Sequence, residues 1–300
     1  MKLSICIPIY NYDVRELVTE LSEQAQNAKD DVELILIDDA SREEFRTINE
    51  AICCKETYIK LDSNIGRAKI RNLFLEYTSA EYLLFLDCDV KIISKTFISK
   101  YLSVISETKE QLVCGGRIYP KEKPKRNHLL SWKYGVLKES KPFKVRQQSP
   151  NASFMTNNFV VHRTILEQNK FDERLENYGH EDTLFGYRLK QKNITISHID
   201  NPVLNIDIET NAIFLEKTEM GIVNLISILD FVDNPQDFTE DVVLLRFYNK
   251  LKSKHLISII YGLFFMTKPI IKTLLINGMV NIKIFDFYKL GLLIEKNQDI

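Results

Sequence analysis

Three short apolar runs, each closing on a polar or acidic cluster, constrain this chain most. Leu3–Ile9 leads into Tyr10-Asn11-Tyr12, Val32–Ile37 is closed by Asp38-Asp39-Ala40-Ser41, and Tyr82–Leu86 is closed by Asp87-Cys88-Asp89. Apolar runs of this length bounded by turn formers predict buried strands. Between them the spacing is helical: Val14, Leu17, Val18, Leu21 and Ala25 within Val14–Ala28, then a helix around Glu43–Ile52, then Ala68, Ile70, Leu73 and Phe74 after Gly66. A short strand over Tyr58–Leu61 completes the series. Strands alternating with helices predict a parallel α/β sheet. Ligands of such sheets bind at the carboxyl ends of the strands, so the acidic clusters are expected on one functional edge.

The pattern continues with a helix over Lys95–Ser106, a strand over Leu112–Tyr119, an irregular segment Pro120–Asn151, a strand over Phe154–His162, a helix from about Asp182 and a strand over Thr195–Ile199. From Ile213 the chain reads as helical, with a break at Asn234-Pro235. The expected organisation is an α/β domain over 1–210, with a donor half 1–116 and an acceptor half 117–210, and a helical extension over 211–300 packed on it. Hydrophobic residues make up 45% and charged residues 27%, which supports an ordinary core and argues against disorder. A net charge of −1 gives no field to attract nucleic acid. Of five cysteines, Cys6, Cys88 and Cys114 lie in apolar runs, and Cys53-Cys54 has no second pair at zinc spacing. A reduced, cytoplasmic compartment follows. The first apolar run meets Pro8 too soon to read as a signal peptide.

Four constellations could carry chemistry. Asp87 and Asp89, two residues apart beyond a strand, can reach one hard cation; magnesium or manganese takes oxygen ligands and keeps positions open for phosphate. Such an ion helps a diphosphate leave; the alternative is a solvated turn or a helix cap. Asp38 and Asp39 can accept from a nucleobase N–H or a ribose hydroxyl, or cap the next helix. Asn64-Ile65-Gly66 makes a turn into a helix whose N-terminus favours phosphate, and Arg71 can reach phosphate or the acidic strand ends. In Asn177-Tyr178-Gly179-His180-Glu181-Asp182 the two carboxylates either complement a helix dipole or present a general base on a rigid helix end. His198 is a candidate metal or phosphate contact. The basic stretch Lys121–Arg146, with Trp132, is either a loop closing over a diphosphate or sugar, or a solvated loop anchored by Trp132; it is too short to suggest nucleic acid.

In this order and at these separations, the segments Ser4–Asn11, Ile37–Ser41, Asn64-Ile65-Gly66 with Arg71-Asn72, Leu86–Asp89 and Gly179–Asp182 resemble those of inverting family-2 glycosyltransferases of the GT-A fold. The resemblance spans about Lys2 to Asn205. It implies a metal-dependent enzyme moving sugar from a nucleoside-diphosphate donor, UDP by family habit, to a glycan or lipid-linked acceptor. Pro8, Tyr10 and Asp39 would line the nucleoside pocket with Asp38 nearby, Asn64 and Gly66 would lie by the donor, and Arg71 by the donor phosphates or the acidic site. Asp87 would contact ribose or metal, and Asp89 would ligate Mn2+ or Mg2+. Asp182 would be the base, Glu181 would face the acceptor, and Asn157-Asn158 would line the acceptor side with Trp132. Similar enzymes often carry a histidine where this chain has Asn205; His198 would be the substitute.

Other families fit less well. A phosphorelay receiver needs a lysine and a hydroxyl at later strand ends, and Cys114-Gly115-Gly116-Arg117 supplies neither. A haloacid-dehalogenase-type phosphatase wants Thr or Val where this chain has Lys91. A nucleotide-sugar-binding protein without catalysis is the remaining alternative, although both Asp89 and Asp182 are kept. Near the C-terminus, Leu256–Met266 and Ile270–Val280 flank Thr267-Lys268-Pro269. Neither half reaches the roughly 20 residues of a spanning helix. A helical hairpin packed on the domain is expected, with peripheral contact at the inner membrane face as the alternative.

Overall fold

Strands that are apolar on both faces need helices on both sides, and the chain supplies them. The computed structural model describes residues 2–52, 56–175 and 178–298; Cys53, Cys54 and Asn177, named above, lie outside these. In order come β1 (Lys2–Ile9), α1 (Arg15–Gln26), β2 (Asp31–Asp38), α2 (Glu43–Ile52), β3 (Thr57–Lys60), α3 (Arg67–Tyr77), β4 (Tyr82–Leu86), β5 (Val90–Lys91), α4 (Phe97–Thr108), β6 (Leu112–Cys114), β7 (Arg117–Ile118), α5 (Leu129–Tyr134) and α6 (Phe143–Arg146). Then follow β8 (Asn158–His162), α7 (Arg163–Gln168), α8 (Glu181–Gln191), β9 (Ser197–His198), β10 (Val203–Asn205), α9 (Asn211–Phe231), α10 (Pro235–Asp241), α11 (Val243–Ser253), α12 (Ile257–Ile276) and α13 (Ile282–Gln298). They form two compact units. One comprises 2–120, 139–175 and 181–207, and the other 121–138, 178–180 and 208–298.

The first unit holds a seven-stranded sheet in the order β3-β2-β1-β4-β8-β6-β9 and a three-stranded sheet β5-β10-β7. β1 pairs in parallel with β2 and β4, so Ile9 lies beside Asp38 and Cys6 beside Phe85. The carboxyl ends of β1, β2 and β4 thus share one edge, as the strand–helix alternation predicts. β8 runs antiparallel to β4, with Leu86 opposite Asn158, which makes the sheet mixed. One face buries Leu3, Ile5, Ile7 and Leu34 against Val18 and Leu21 of α1. The other buries Cys6, Ile35, Ile37 and Phe85 against Phe74 of α3 and Phe185 of α8. There Phe171 stacks on Phe185 at 4.3 Å and Phe154 meets Phe159 edge-on at 5.0 Å, an aromatic layer that fixes where α8 begins. Asn72 of α3 clamps the Phe171 backbone, accepting from its N–H and donating to its carbonyl, both at 2.9 Å.

Several elements depart from the sequence reading. Leu112–Tyr119 is two strands in different sheets, because Gly116 turns the chain at φ +86°. A Cβ there would also sit 2.6 Å from Arg146 Nη2. Phe154–His162 is strand only from Asn158, and Pro120–Asn151 is largely short helices. The two- and three-residue strands β5 and β10 are too short to leave a periodic signal. The second unit is helical: α5 and α9 to α13. Its apolar α12 runs unbroken through Pro269, where a hairpin is expected. Pro269 costs one backbone bond, and the helix continues with the Thr267 and Thr273 hydroxyls bonded back to Leu263 and Pro269.

Candidate active site

The β2 end presents two carboxylates with separate duties. Asp38 is fully buried. It accepts from Ser41 N–H at 2.7 Å and the Tyr58 hydroxyl at 3.1 Å, and lies 3.4 Å from Arg46 Nε. It ties the turn to α2 and β3, so it is a structural carboxylate rather than an open donor contact. Asp39 accepts from Ile65 N–H at 2.7 Å and Gly66 N–H at 3.1 Å, while Asn64 Nδ2 donates to the Asp39 carbonyl at 3.1 Å. Gly66 adopts φ +82°, ψ 170°, a conformation essentially confined to glycine. Asp39, Asn64 and Gly66 are thus brought together, but the N–H groups expected to meet phosphate serve Asp39. Burial raises the Asp39 pKa despite these bonds. Tyr10 projects from the end of β1 with its side chain exposed, and Pro8 is partly buried beside Ile37.

The β4 end is electrostatically the densest. Arg71, 1% exposed, donates to Asp87 Oδ1 at 2.7 Å and lies 6.0 Å from the Phe171 ring centre. It therefore serves the acidic strand end, not an open phosphate site. Arg67, one turn earlier, lies 3.7 Å from Asp87 Oδ2 and donates from Nε to Glu181 Oε1 at 2.6 Å. Burial pushes Asp87 and Glu181 up, but Arg67 and Arg71 outweigh it and hold both below the usual carboxylate range. Asp89 and Asp182 go the other way. Burial first, then Asp87 beside Asp89 and Glu181 beside Asp182, push each up to about 6. Asp182 Oδ1 accepts from Thr183 N–H at 2.7 Å. No hydrogen bond or ion pair to another described residue holds the Asp89 carboxylate.

Three further residues contribute that the sequence reading did not single out. Arg67 is one. Arg117, bonded to Glu139 at 2.9 Å and to Tyr119 at 3.0 Å, adds positive potential at Asp87, Asp89 and Asp182; a charge inside the apolar run Leu112–Tyr119 is the available signal. Asp207 adds a negative charge near Asp89 and Tyr12, and Tyr12 is pushed up to about 12 by burial and then by Asp207 and Asp89.

Asn157 and Asn158 separate in role. The Asn157 carbonyl accepts from Asp87 N–H at 3.2 Å, and its fully buried side-chain amide has no hydrogen-bond partner on either atom among the described residues. Asn158 is saturated: it accepts from Tyr101 Oη at 2.7 Å and donates to the Gly116 and Asn201 carbonyls at 2.9 Å. It is a structural clamp, not an acceptor contact. His198 is likewise spent. Arg146 Nη1 donates to its Nδ1 at 2.6 Å, and its Nε2–H donates to the Pro150 carbonyl at 2.9 Å. Burial and then the neighbouring Arg146 lower its pKa to about 4. A metal or phosphate contact at His198 would have to break one of these bonds. Trp132 is partly buried on α5, in the second unit.

Among the described residues no three His, Cys, Asp or Glu side chains form a metal-ligating group. Asp89 nevertheless fits a hard cation, because it is a partly buried carboxylate with no hydrogen-bond or ion-pair partner among the described residues. Asp87 is already neutralised by two guanidinium groups. The remaining ligands of such an ion would have to come from a diphosphate and water. Asp182, ionised at neutral pH but close to its pKa, has the properties of a general base.

The Glycosyl transferase family 2 model matches residues 4–169, which include β1, β2, β4 and the Asp87–Asp89 corner. An uncharacterised glycosyltransferase of Haemophilus influenzae is 37% identical over 93 residues, covering 29% of this chain and 36% of that protein. None of the three curated relatives is matched over more than 62% of its own length. Among solved structures, Staphylococcus aureus TarS 1–349 in complex with UDP is similar with a TM-score of 0.52 at 18% identity, covering 100% of this chain and 92% of that one. The mannosyltransferase PcManGT of Pyrobaculum calidifontis, with GDP-Man and Mn2+, is similar with a TM-score of 0.56 at 11% identity over 92% of this chain and 85% of that one. These two share the fold. With more than half its length matched by the family model, the chain belongs to glycosyl transferase family 2.

Proposed function

We infer that the protein is an inverting glycosyltransferase that moves a sugar from a nucleoside-diphosphate donor to a hydroxyl of a glycan or lipid-linked acceptor, in the cytoplasm. The observation that carries this reading is the Arg67–Asp87–Arg71 cluster, which ties the β4 end that carries Asp89 to the α8 start that carries Asp182, where burial and a neighbouring carboxylate raise both of these carboxylates to about 6. Asp39, with Tyr10 and Pro8, is assigned to the nucleoside. Asp182 takes the proton of the acceptor hydroxyl as that oxygen forms its bond to the sugar carbon. The bond from that carbon to the donor phosphate breaks, and its electron pair leaves with the nucleoside diphosphate. A manganese or magnesium ion held by Asp89, when bound, would neutralise the charge growing on the leaving diphosphate. Arg67 keeps Glu181 ionised beside the base, and the buried Asn157 amide is assigned to a sugar hydroxyl at the acceptor side.

UDP is the proposed nucleotide, supported by the UDP bound to TarS; the GDP-Man of PcManGT makes GDP the natural comparison. Thermal shift against UDP, GDP and their sugars, with and without manganese, tests the site. A folded-state ligand at a hundredfold over its dissociation constant stabilises by about 2.7 kcal/mol. Metal-dependent stabilisation by one nucleotide, lost in Asp89→Ala, is expected. Stabilisation without turnover on any acceptor would favour a nucleotide-sugar-binding protein; no stabilisation by any nucleotide would refute the donor site.

A further inference from the structure

Helix α12 carries a row of large apolar side chains on its outer side. Ile259, Leu263, Met266 and Ile270 recur at helical spacing, so they form a single stripe. They are 67%, 52%, 75% and 60% exposed. The opposite face is fully committed within the second unit. Phe264 and Leu275 are buried, and the Phe264 ring meets those of Phe287 and Tyr288. Lys268 pairs with Glu295 at 2.6 Å and Lys272 with Glu219 at 2.8 Å. The exposed stripe is therefore not an unfilled part of this core. Exposed Val243 and Phe247 on α11 add to the apolar surface of the same unit.

The stretch of chain that carries this face is basic. From Val242 to Phe285 there is no Asp or Glu, yet there are one arginine and six lysines, in a chain whose net charge is −1. Lys250, Lys252 and Lys254 are exposed and immediately precede α12. An apolar stripe beside exposed lysines matches the interface of a bilayer containing anionic lipid. By length and composition alone α12 could also cross a membrane. The Lys268–Glu295 and Lys272–Glu219 pairs oppose that, since crossing would carry two ion pairs into hydrocarbon.

We propose that the Ile259–Leu263–Met266–Ile270 face of α12 docks on an anionic phospholipid surface, with the helix lying in the plane of the interface and Lys250, Lys252 and Lys254 at the headgroups. The proposal does not depend on the transferase reading. It would place the protein where a lipid-linked acceptor is met.

Flotation of the full chain with vesicles of equal parts phosphatidylcholine and phosphatidylglycerol, against phosphatidylcholine alone, is the test. Binding to the mixed vesicles, weakened by salt, is expected. Leu263→Glu combined with Met266→Glu should abolish it. Replacing Lys250, Lys252 and Lys254 by glutamine should weaken it about fivefold per lysine, equivalent to about 1 kcal/mol each. All five positions are exposed, so circular dichroism should report an unchanged fold. Nucleotide-induced thermal shifts on the same variants separate loss of docking from loss of the donor site. Failure to float with either vesicle, or flotation unchanged in the Leu263–Met266 variant, would overturn the proposal. So would concentration-dependent self-association abolished by that variant without vesicle binding, which would assign the face to a second copy of the chain.

Discussion

Arg67 Nε donates to Glu181 Oε1 at 2.6 Å across 114 positions of the chain. The same guanidinium lies 3.7 Å from Asp87, so one side chain at the start of α3 links the β4 strand end to the start of α8. Glu181 is 7% exposed, and without Arg67 it would keep a charge in a poorly solvated place. Arg67→Met should cost about 2 kcal/mol of stability, the scale of a charge-assisted bond lost from a mostly buried acceptor. It should also raise the apparent pKa of the base, because Arg67 holds Asp182 down. Chemical denaturation and a pH–rate profile read the two effects; an unchanged profile would remove Arg67 from the site.

Asp182→Asn should lower turnover by about 10²–10⁴-fold, the usual contribution of a general base, while leaving nucleotide-induced stabilisation intact. With Asp182 at about 6 and the base active only when ionised, the wild-type rate should fall as pH drops through 6 and level off above it. The stability effect has the opposite sense. A carboxylate whose folded pKa lies above its unfolded value binds its proton more tightly when folded, so ionisation destabilises the fold at neutral pH, and this cost fades as pH falls toward about 4. Asp182→Asn should therefore raise the neutral-pH melting temperature by about 2–4 °C, the equivalent of about 1 kcal/mol, and change it little near pH 4. A variant equally active or less stable at neutral pH would refute the assignment.

Asp172 is the converse case. Arg174 holds its carboxyl far below the usual range against the opposing effect of burial, and Arg188 reinforces this, each arginine at 2.6 Å. Its stabilisation is complete above the unfolded carboxylate pKa of about 4 and is lost as pH falls below it. Asp172→Asn should cost about 1–2 kcal/mol at neutral pH, and the difference from wild type should shrink in acid. Parallel urea titrations at the two pH values check this. Arg188 lies on α8, so loss of the pair should also disturb the helix that presents Asp182.

Asn157 tests the acceptor side. A buried amide without a partner costs stability, so Asn157→Leu, similar in size, should be neutral or stabilising to nucleotide-free protein by up to about 1 kcal/mol. If the amide meets a sugar hydroxyl, transfer should nevertheless drop at least tenfold, the scale of one lost hydrogen bond in a desolvated site. A destabilised variant with normal turnover would make Asn157 a structural residue like Asn158.

The strand–helix alternation, the shared edge of Tyr10, Asp39, Asp87 and Asp89, and the helix starting near Asp182 were legible in the sequence, because burial imposes a periodicity on each element and the turn residues mark its end. Family membership was legible for the same reason: the motifs are local segments at consistent separations. The division of labour within each motif was not. Asp38 and Asp39 are neighbours of the same type, yet one is used up by Ser41, Tyr58 and Arg46 while the other bonds the Asn64–Gly66 turn. Asn158 is saturated where Asn157 is not, and His198 is engaged by Arg146 and Pro150. The continuity of α12 through Pro269 and the exposure of its apolar stripe were likewise undetermined by composition. Periodicity reports which side of an element is buried, but hydrogen-bond partners and the sign of a pKa shift depend on charges brought within a few ångströms from distant parts of the chain, as Arg67 is to Glu181, and only the tertiary structure decides those distances.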